Sequence, residues 1–258
     1  MNILEYNRIS WNNKVDAGNE WTLPVSSEQV AKARAGEWEL VLTPTKPVPK
    51  DWFPPLAGLE VLCLASGGGQ QGPILAAAGA NVTVFDYSDK QLAQDRMVAE
   101  RDGLTIKTVQ GDMADLSCFA DESFDFIFHP VSNCFAADIK PVWKEAARVL
   151  KERGAIVAGF TNPLLYIFDL EKEEQGILEV AHKIPYADVT DLPKERLEKQ
   201  LQEQISLEFG HSLEDQIKGQ LDAGLVVTGF YEDHFGGQCA LDPYINVFIA
   251  TKAVKIRL

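Results

Sequence analysis

Between positions 59 and 160 short apolar runs alternate with amphipathic stretches. Residues 60–65 (EVLCLA), 81–86 (NVTVFD), 105–110, 124–129 and 155–160 have the length and the apolar, β-branched or aromatic character of strands. The stretches between them read as helices. Residues 72–79 are alanine-rich and stop at Gly79, and 88–101 open on a capping box of Ser88 with Gln91 and run to Gly103. Residues 138–153 close at Gly154. Strands alternating with helices at this spacing predict an α/β fold, a parallel sheet with helices on both faces. Its crossovers should be right-handed, with ligands gathered outside the carboxyl ends of the strands.

The flanks break this rhythm. Residues 1–57 hold four of the five tryptophans and six prolines, with one helix signal, the capping box Ser26–Gln29 opening a segment to Glu37. Pro44, Pro47, Pro49, Pro54 and Pro55 mark an extended linker. This arm is expected to pack on the core through its aromatics and to serve as a lid over a bound ligand. After Phe160 comes an acid-rich insertion, 163–209, with helical patterns at 170–181 and 193–208 around an extended 184–189. A helix at 212–223 and strands at 225–231 and 244–253 then complete the chain. The domain reading is an arm over 1–57 and one domain over 58–258 carrying the insertion.

Charge narrows the partners. The formal net charge is -14, and the basic residues are interleaved with acids, as Lys194, Arg196 and Lys199 are with Glu195 and Glu198. A polyanion needs clustered Lys and Arg, so no nucleic-acid partner is expected. Four cysteines without a C-x-x-C spacing argue against a metal site or a disulfide framework. The first residues lack a signal-peptide pattern, and no apolar run approaches the ~20 residues of a membrane span. The expectation is a cytoplasmic protein, monomer or homodimer, with no membrane partner.

The strongest local signal is Ala65-Ser66-Gly67-Gly68-Gly69-Gln70-Gln71-Gly72, directly after a strand and before a helix. Glycines allow a sharp turn and a close backbone approach to a ligand, at which the following helix start aims its N–H groups. Gly67, Gly69 and Gly72 fit G-x-G-x-x-G, and Asp86 ends the next strand where a ribose hydroxyl would lie. The loop alone leaves a dinucleotide and S-adenosylmethionine both open. Beyond it lie Gly111-Asp112-Met113, then 124–130 (FDFIFHP), then 148–151 (RVLK) running into Gly154.

In that order these residues resemble the class I S-adenosylmethionine-dependent methyltransferases, near the ubiquinone-biosynthesis type that acts on small molecules. The resemblance covers 59–160, and more weakly 225–252. It implies a Rossmann-like, seven-stranded, mostly parallel sheet with an N-terminal arm and a helical insertion after the fifth strand. It also implies methyl transfer from S-adenosylmethionine to a small-molecule acceptor. The Gly67–Gly69 turn would lie under the methionine part, Asp86 would hold the ribose, and Asp112 and Met113 would flank the adenine. The cofactor residues expected are Ala65, Ser66, Gly67, Gly69, Gln71, Asp86, Tyr87, Gly111, Asp112, Met113, His129 and Pro130. Two departures stand out: Ala65 occupies the position where the family carries an acid, and Gln70 and Gln71 replace small residues.

Methyl transfer chiefly needs alignment and exclusion of water, so sequence says little about a base. His129, at the end of the fourth strand, is the candidate base, with a structural role as the plainer reading. Tyr6, Trp11, Trp21, Asn133, Tyr166, Tyr186 and His211 are the candidates for the acceptor pocket. Two alternatives remain: a nicotinamide-dependent oxidoreductase using the same loop, and a non-catalytic adenosylmethionine-binding protein.

Overall fold

The computed structural model describes residues 1–256. Its strands are β1 (Glu60–Leu64), β2 (Asn81–Asp86), β3 (Ile106–Gln110), β4 (Phe124–His129), β5 (Leu150–Thr161), β6 (Tyr186–Ala187), β7 (Phe209–Gly210), β8 (Leu225–Asp233) and β9 (Phe248–Lys255). Seven of them form one sheet in the order β3-β2-β1-β4-β5-β9-β8, and β6 pairs with β7 apart from it. The first five are parallel, and β9 runs antiparallel between β5 and β8.

Side chains alternate across the sheet, and both faces are covered. Leu62, Leu64, Ile127 and Trp143 fill one face, while Val61, Cys63, Phe126 and Phe128 fill the other. The helices are α1 (Ile3–Asp16), α2 (Ser27–Arg34), α3 (Gln71–Ala77), α4 (Asp89–Asp102), α5 (Lys140–Val149), α6 (Leu170–Glu173), α7 (Asp188–Asp191), α8 (Lys194–Gln202) and α9 (Gly219–Asp222). Part of the N-terminal region belongs to the core itself. Leu40, Leu42, Val48 and Trp52 are buried on the second face, and Trp52 lies 5.3 Å from Tyr231. Among the described residues no helix is long and apolar enough to cross a membrane.

Several elements differ from the sequence reading, each for a physical reason. The fifth strand starts at Leu150, where a helix was expected through Arg153. Leu150 pairs with Phe124, and Lys151 reaches Asp125 at 2.9 Å, contacts that a continued helix would forfeit. The helix expected over 170–181 is a single turn, because Gly176 turns the chain at φ 77 and Phe168 bridges back to Val180. The extended 184–189 narrows to β6 before α7 begins, and α8 ends at Gln202. The helix expected over 212–223 contains a π-helical turn, Glu214–Lys218, and Gly219 then lies against Trp143, where a Cβ would come within 2.6 Å. The last strand begins at Phe248.

Helix α1 was not expected at all. Its buried positions are Asn7 and Ser10, both polar, so it shows no apolar periodicity. It is held by hydrogen bonds on two sides. Toward the insertion, Asn7 Nδ2 donates to Leu207 O (3.0 Å) and Asn7 Oδ1 accepts from Leu207 N (2.8 Å). Ser10 meets Ser206, and the Tyr6 hydroxyl donates to the carbonyls of Gln200 and Ile205. Toward the sheet, Arg8 and Asn12 both donate to Asp89 Oδ1, at 2.8 and 2.9 Å.

Asn7→Ala should therefore strand the buried Leu207 N–H and C=O, at a cost of about 1–3 kcal/mol. Urea unfolding should show that loss, and limited proteolysis should show faster cleavage around α1; an unchanged digestion pattern would contradict this clasp.

Candidate functional site

The site starts where β1 ends. Ala65 takes φ 46, and its N–H donates to Phe85 O at 2.7 Å. A left-handed backbone at a residue with a Cβ costs roughly 1–2 kcal/mol, strain of the kind found at functional loops. The following N–H groups are held by carboxylates: Gly67 donates to Asp86 Oδ2 (2.9 Å) and Gly68 to Asp95 Oδ2 (3.0 Å). A Cβ on Gly67 would come within 2.7 Å of the Gln91 Cβ, so only glycine allows α4 to approach this closely. The arm is fastened to the same loop, through Val25 N to Gly69 O (2.9 Å) and Gln70 Nε2 to Leu23 O (3.0 Å).

A cavity of about 1150 Å³ opens at the carboxyl ends of the strands. One half of it is built on β1, β2 and β3. Asp86 is oriented by the N–H groups of Gly67 and Ser88 (2.8 Å), and Asp112 by that of Ala114 (2.9 Å). Burial raises the Asp86 carboxyl above its ordinary range, against the lowering effect of its backbone donors. Gly111 rests on the Phe85 ring, where a Cβ would come within 2.3 Å. Gln91 also lies along this wall. At the start of α2, Ser26 and Gln29 cap reciprocally, but at α4 Ser88 accepts from Gln91 N while Gln91 Oε1 stays buried without a partner. Carboxylates at the ends of adjacent strands, facing one cavity, suit a ribose diol and an exocyclic amine. The residues present thus fit the nucleoside of S-adenosylmethionine.

The other half is attached to the ends of β4 and β5 and roofed by α1. Trp11 meets Phe135 edge-on, with centroids 5.2 Å apart, and Lys14 Nζ sits 4.0 Å above the Trp11 ring. Glu208 accepts from the Tyr166 hydroxyl at 2.9 Å. Burial pushes its carboxyl above the usual range and pushes the Lys14 ammonium below its own.

Of the expected cofactor residues, Ala65, Ser66, Gly67, Gln71, Asp86, Tyr87, Gly111, Asp112, Met113 and Pro130 line this cavity, as do Trp11 and Trp21. Gly69 does not; it turns toward Pro24 and α4. The His129 expectation is corrected. Its ring is fully buried off the cavity, with Nδ1 2.9 Å from Leu64 O and Nε2 2.8 Å from the Asn133 side-chain amide. Burial lowers its pKa, against the raising effect of its Leu64 and Asn133 partners. The Asn133 amide in turn donates from Nδ2 to Gln216 Oε1 at 3.0 Å. A sealed, doubly bonded imidazole is neither a base nor a cofactor contact.

Five acceptor-pocket candidates also lie behind the wall. Tyr6 and Asn133 are spent on the contacts above, and Tyr166 supports Glu208. Tyr186 stacks on Tyr166 at 5.5 Å and donates to Asp188 (2.8 Å), and His211 Nε2 lies 2.9 Å from Ala136 O. Sequence reasoning missed Lys14, Gln91, Asp95 and Glu208. Lys14 lies on the helix without periodicity, Glu208 in an acid-rich run, and Gln91 reads as a cap. Asp95 has the look of an ordinary helix-surface acid. Among the described residues no group of three or more His, Cys, Asp or Glu is placed to hold a metal ion.

Comparisons with known proteins identify the family. Residues 62–158 match the family model described as a methyltransferase domain. The uncharacterized methyltransferase YbaJ of Bacillus subtilis is 59% identical over 254 residues, covering 98% of this chain and 99% of that protein. A demethylmenaquinone methyltransferase of Clavibacter sepedonicus is 35% identical over 110 residues, 42% of this chain and 44% of that one. In fold, the chain is similar to an S-adenosylmethionine-dependent methyltransferase from Mesorhizobium loti, with a TM-score of 0.57 and 16% identity over 80% of this chain and 95% of that one.

Asp95 makes the loop sensitive to pH. Its side chain is wholly buried, Oδ1 has no partner, and burial pushes its carboxyl up to about 7 from the ordinary 3.8. Between those values the folded chain binds a proton here that the unfolded chain has released. This group's contribution to stability is thus greatest near pH 4, falls as pH rises, and levels off above about 7. Asp95→Asn keeps an acceptor for Gly68 N–H without the charge. Its melting temperature relative to wild type should climb between pH 5 and pH 8, and parallel pH curves would contradict the assignment.

Proposed function

The chain belongs to the S-adenosylmethionine-dependent methyltransferases, and we propose that the molecule it methylates is a small one, enclosed with the cofactor beneath the N-terminal arm. S-adenosylmethionine supplies an electrophilic methyl group on a sulfonium and leaves as a neutral thioether. Asp86 would hold its ribose, Asp112 and Met113 its adenine, and the loop from Ala65 to Gln71 the methionine end.

The single observation that carries this reading is one cavity with two dissimilar halves. Its volume of about 1150 Å³ exceeds the ~300–1,000 Å³ typical of a site for one ligand. The half on β1–β3 is built for a nucleoside, which leaves the half on β4 and β5 for the acceptor. Trp11 and Phe135 wall that half and Glu208 and Lys14 give it polar anchors, a combination suited to a small, partly apolar molecule. The roof made by 1–57 and by 163–209 shuts out water and holds the acceptor in line, and such transfers gain most from alignment. The nicotinamide alternative and the non-catalytic alternative are not favoured by the family to which the chain belongs.

Calorimetry with S-adenosylhomocysteine tests this reading without an acceptor. Wild type should bind it and ignore NADH, and Asp86→Ala should weaken binding by about 10–100-fold, the loss of charge-assisted hydrogen bonds. Binding of NADH in place of S-adenosylhomocysteine would overturn it.

A further inference from the structure

The acceptor half holds two opposite charges that do not satisfy each other. Lys14 hangs from the roof helix, and Glu208 projects from the insertion immediately before β7. Both line the cavity. The charge of each acts on the other, yet among the described residues no ion pair within 4.0 Å joins them, and Lys14 Nζ has no hydrogen-bond acceptor. Lys14 rests instead on the Trp11 ring, 4.0 Å from its centroid, and Glu208 has the Tyr166 hydroxyl alone. Removing a charge from water is costly unless a partner compensates it. Two such charges, facing one space across a gap, are best met together by a ligand that carries both complements.

We propose that Lys14 and Glu208 form a zwitterion subsite, in which Glu208, steadied by Tyr166, takes an ammonium group and Lys14 takes a carboxylate. The acceptor class is then an amino acid or a similar small zwitterion, with its apolar part against Phe135, Val131 and Leu165. This assignment rests on the two-halved reading of the cavity given above. It places the pair on the acceptor side because Phe135 follows β4 and Tyr166 follows β5, whereas Asp86 and Asp112 lie at β2 and β3 across the switch point of the sheet. Burial acts on both in keeping with this geometry: with the Asp188 charge it raises the Glu208 carboxyl, and it lowers the Lys14 ammonium.

The experiment is a calorimetric series on the full chain saturated with S-adenosylhomocysteine. The probes are L-phenylalanine, phenethylamine and 3-phenylpropanoate, and the matching set built on L-leucine. At least one zwitterion should bind 10-fold or more tightly than both of its singly charged analogues. Glu208→Gln should reduce it to the level of the acid, and Lys14→Met to that of the amine. S-adenosylhomocysteine affinity, which reports the cofactor half, should hold in both variants, and neither should melt below wild type. If neither zwitterion exceeds its analogues, the subsite is overturned. If well-folded variants lose S-adenosylhomocysteine instead, the pair serves the cofactor and the assignment is equally overturned. Failure of wild type to bind S-adenosylhomocysteine would strike at the underlying reading of the cavity, a separate result from either.

Discussion

The turn from β1 into α3 must leave several backbone N–H groups without helical partners, and in this chain two carboxylates take them up. Asp86 accepts from Gly67 and Asp95 from Gly68, one from the end of the neighbouring strand and one from the helix that follows it. The rest of the carboxyl end is arranged around that demand. Gly67 cannot carry a side chain, because α4 must come close enough for Asp95 to reach. Asp86 is fixed by the loop it supports, so its free lone pairs point into the cavity in a set direction. The strained Ala65 is the local cost of turning the chain this tightly.

The roof is fastened by different physics. The sheet is held by apolar burial on both faces, but α1 buries only Asn7 and Ser10 and is tied down by hydrogen bonds and ion pairs. Its exposed pairs, such as Arg8 with Asp89, contribute little each, so the buried Asn7–Leu207 clasp matters most. Segments with few buried apolar contacts are the first to open. Such a segment over the cavity gives ligands a way in and out.

Much of the fold could be read from the chain because a strand buried on both faces is a nearly continuous apolar run, as in Val61–Leu62–Cys63–Leu64 and Phe126–Ile127–Phe128. The elements that escaped are those whose buried face is polar, α1 above all, and those ended by tertiary contacts, such as α5 giving way to β5 at Leu150. The nucleoside half was legible for a related reason. Strand ends and the glycine turn place Asp86, Gly111 and Asp112 by topology alone. Of the other half only Trp11 was legible, because Lys14, Phe135 and Glu208 come from segments far apart in sequence that tertiary contacts such as the Asn7 clasp bring together. His129 shows the opposite error: its position at a strand end looked catalytic, but Leu64 O and the Asn133 amide occupy both ring nitrogens.

Residues of the glycine loop and of the N-terminal helix line one cavity, so a ligand at the loop should be felt by the helix. Hydrogen exchange read by mass spectrometry, with and without S-adenosylhomocysteine, tests it most directly. Exchange should slow at the loop of residues 65–71, at Gly111–Asp112–Met113 and across α1. Slowing confined to the loop and strand ends, with α1 exchanging at its free rate, would contradict it.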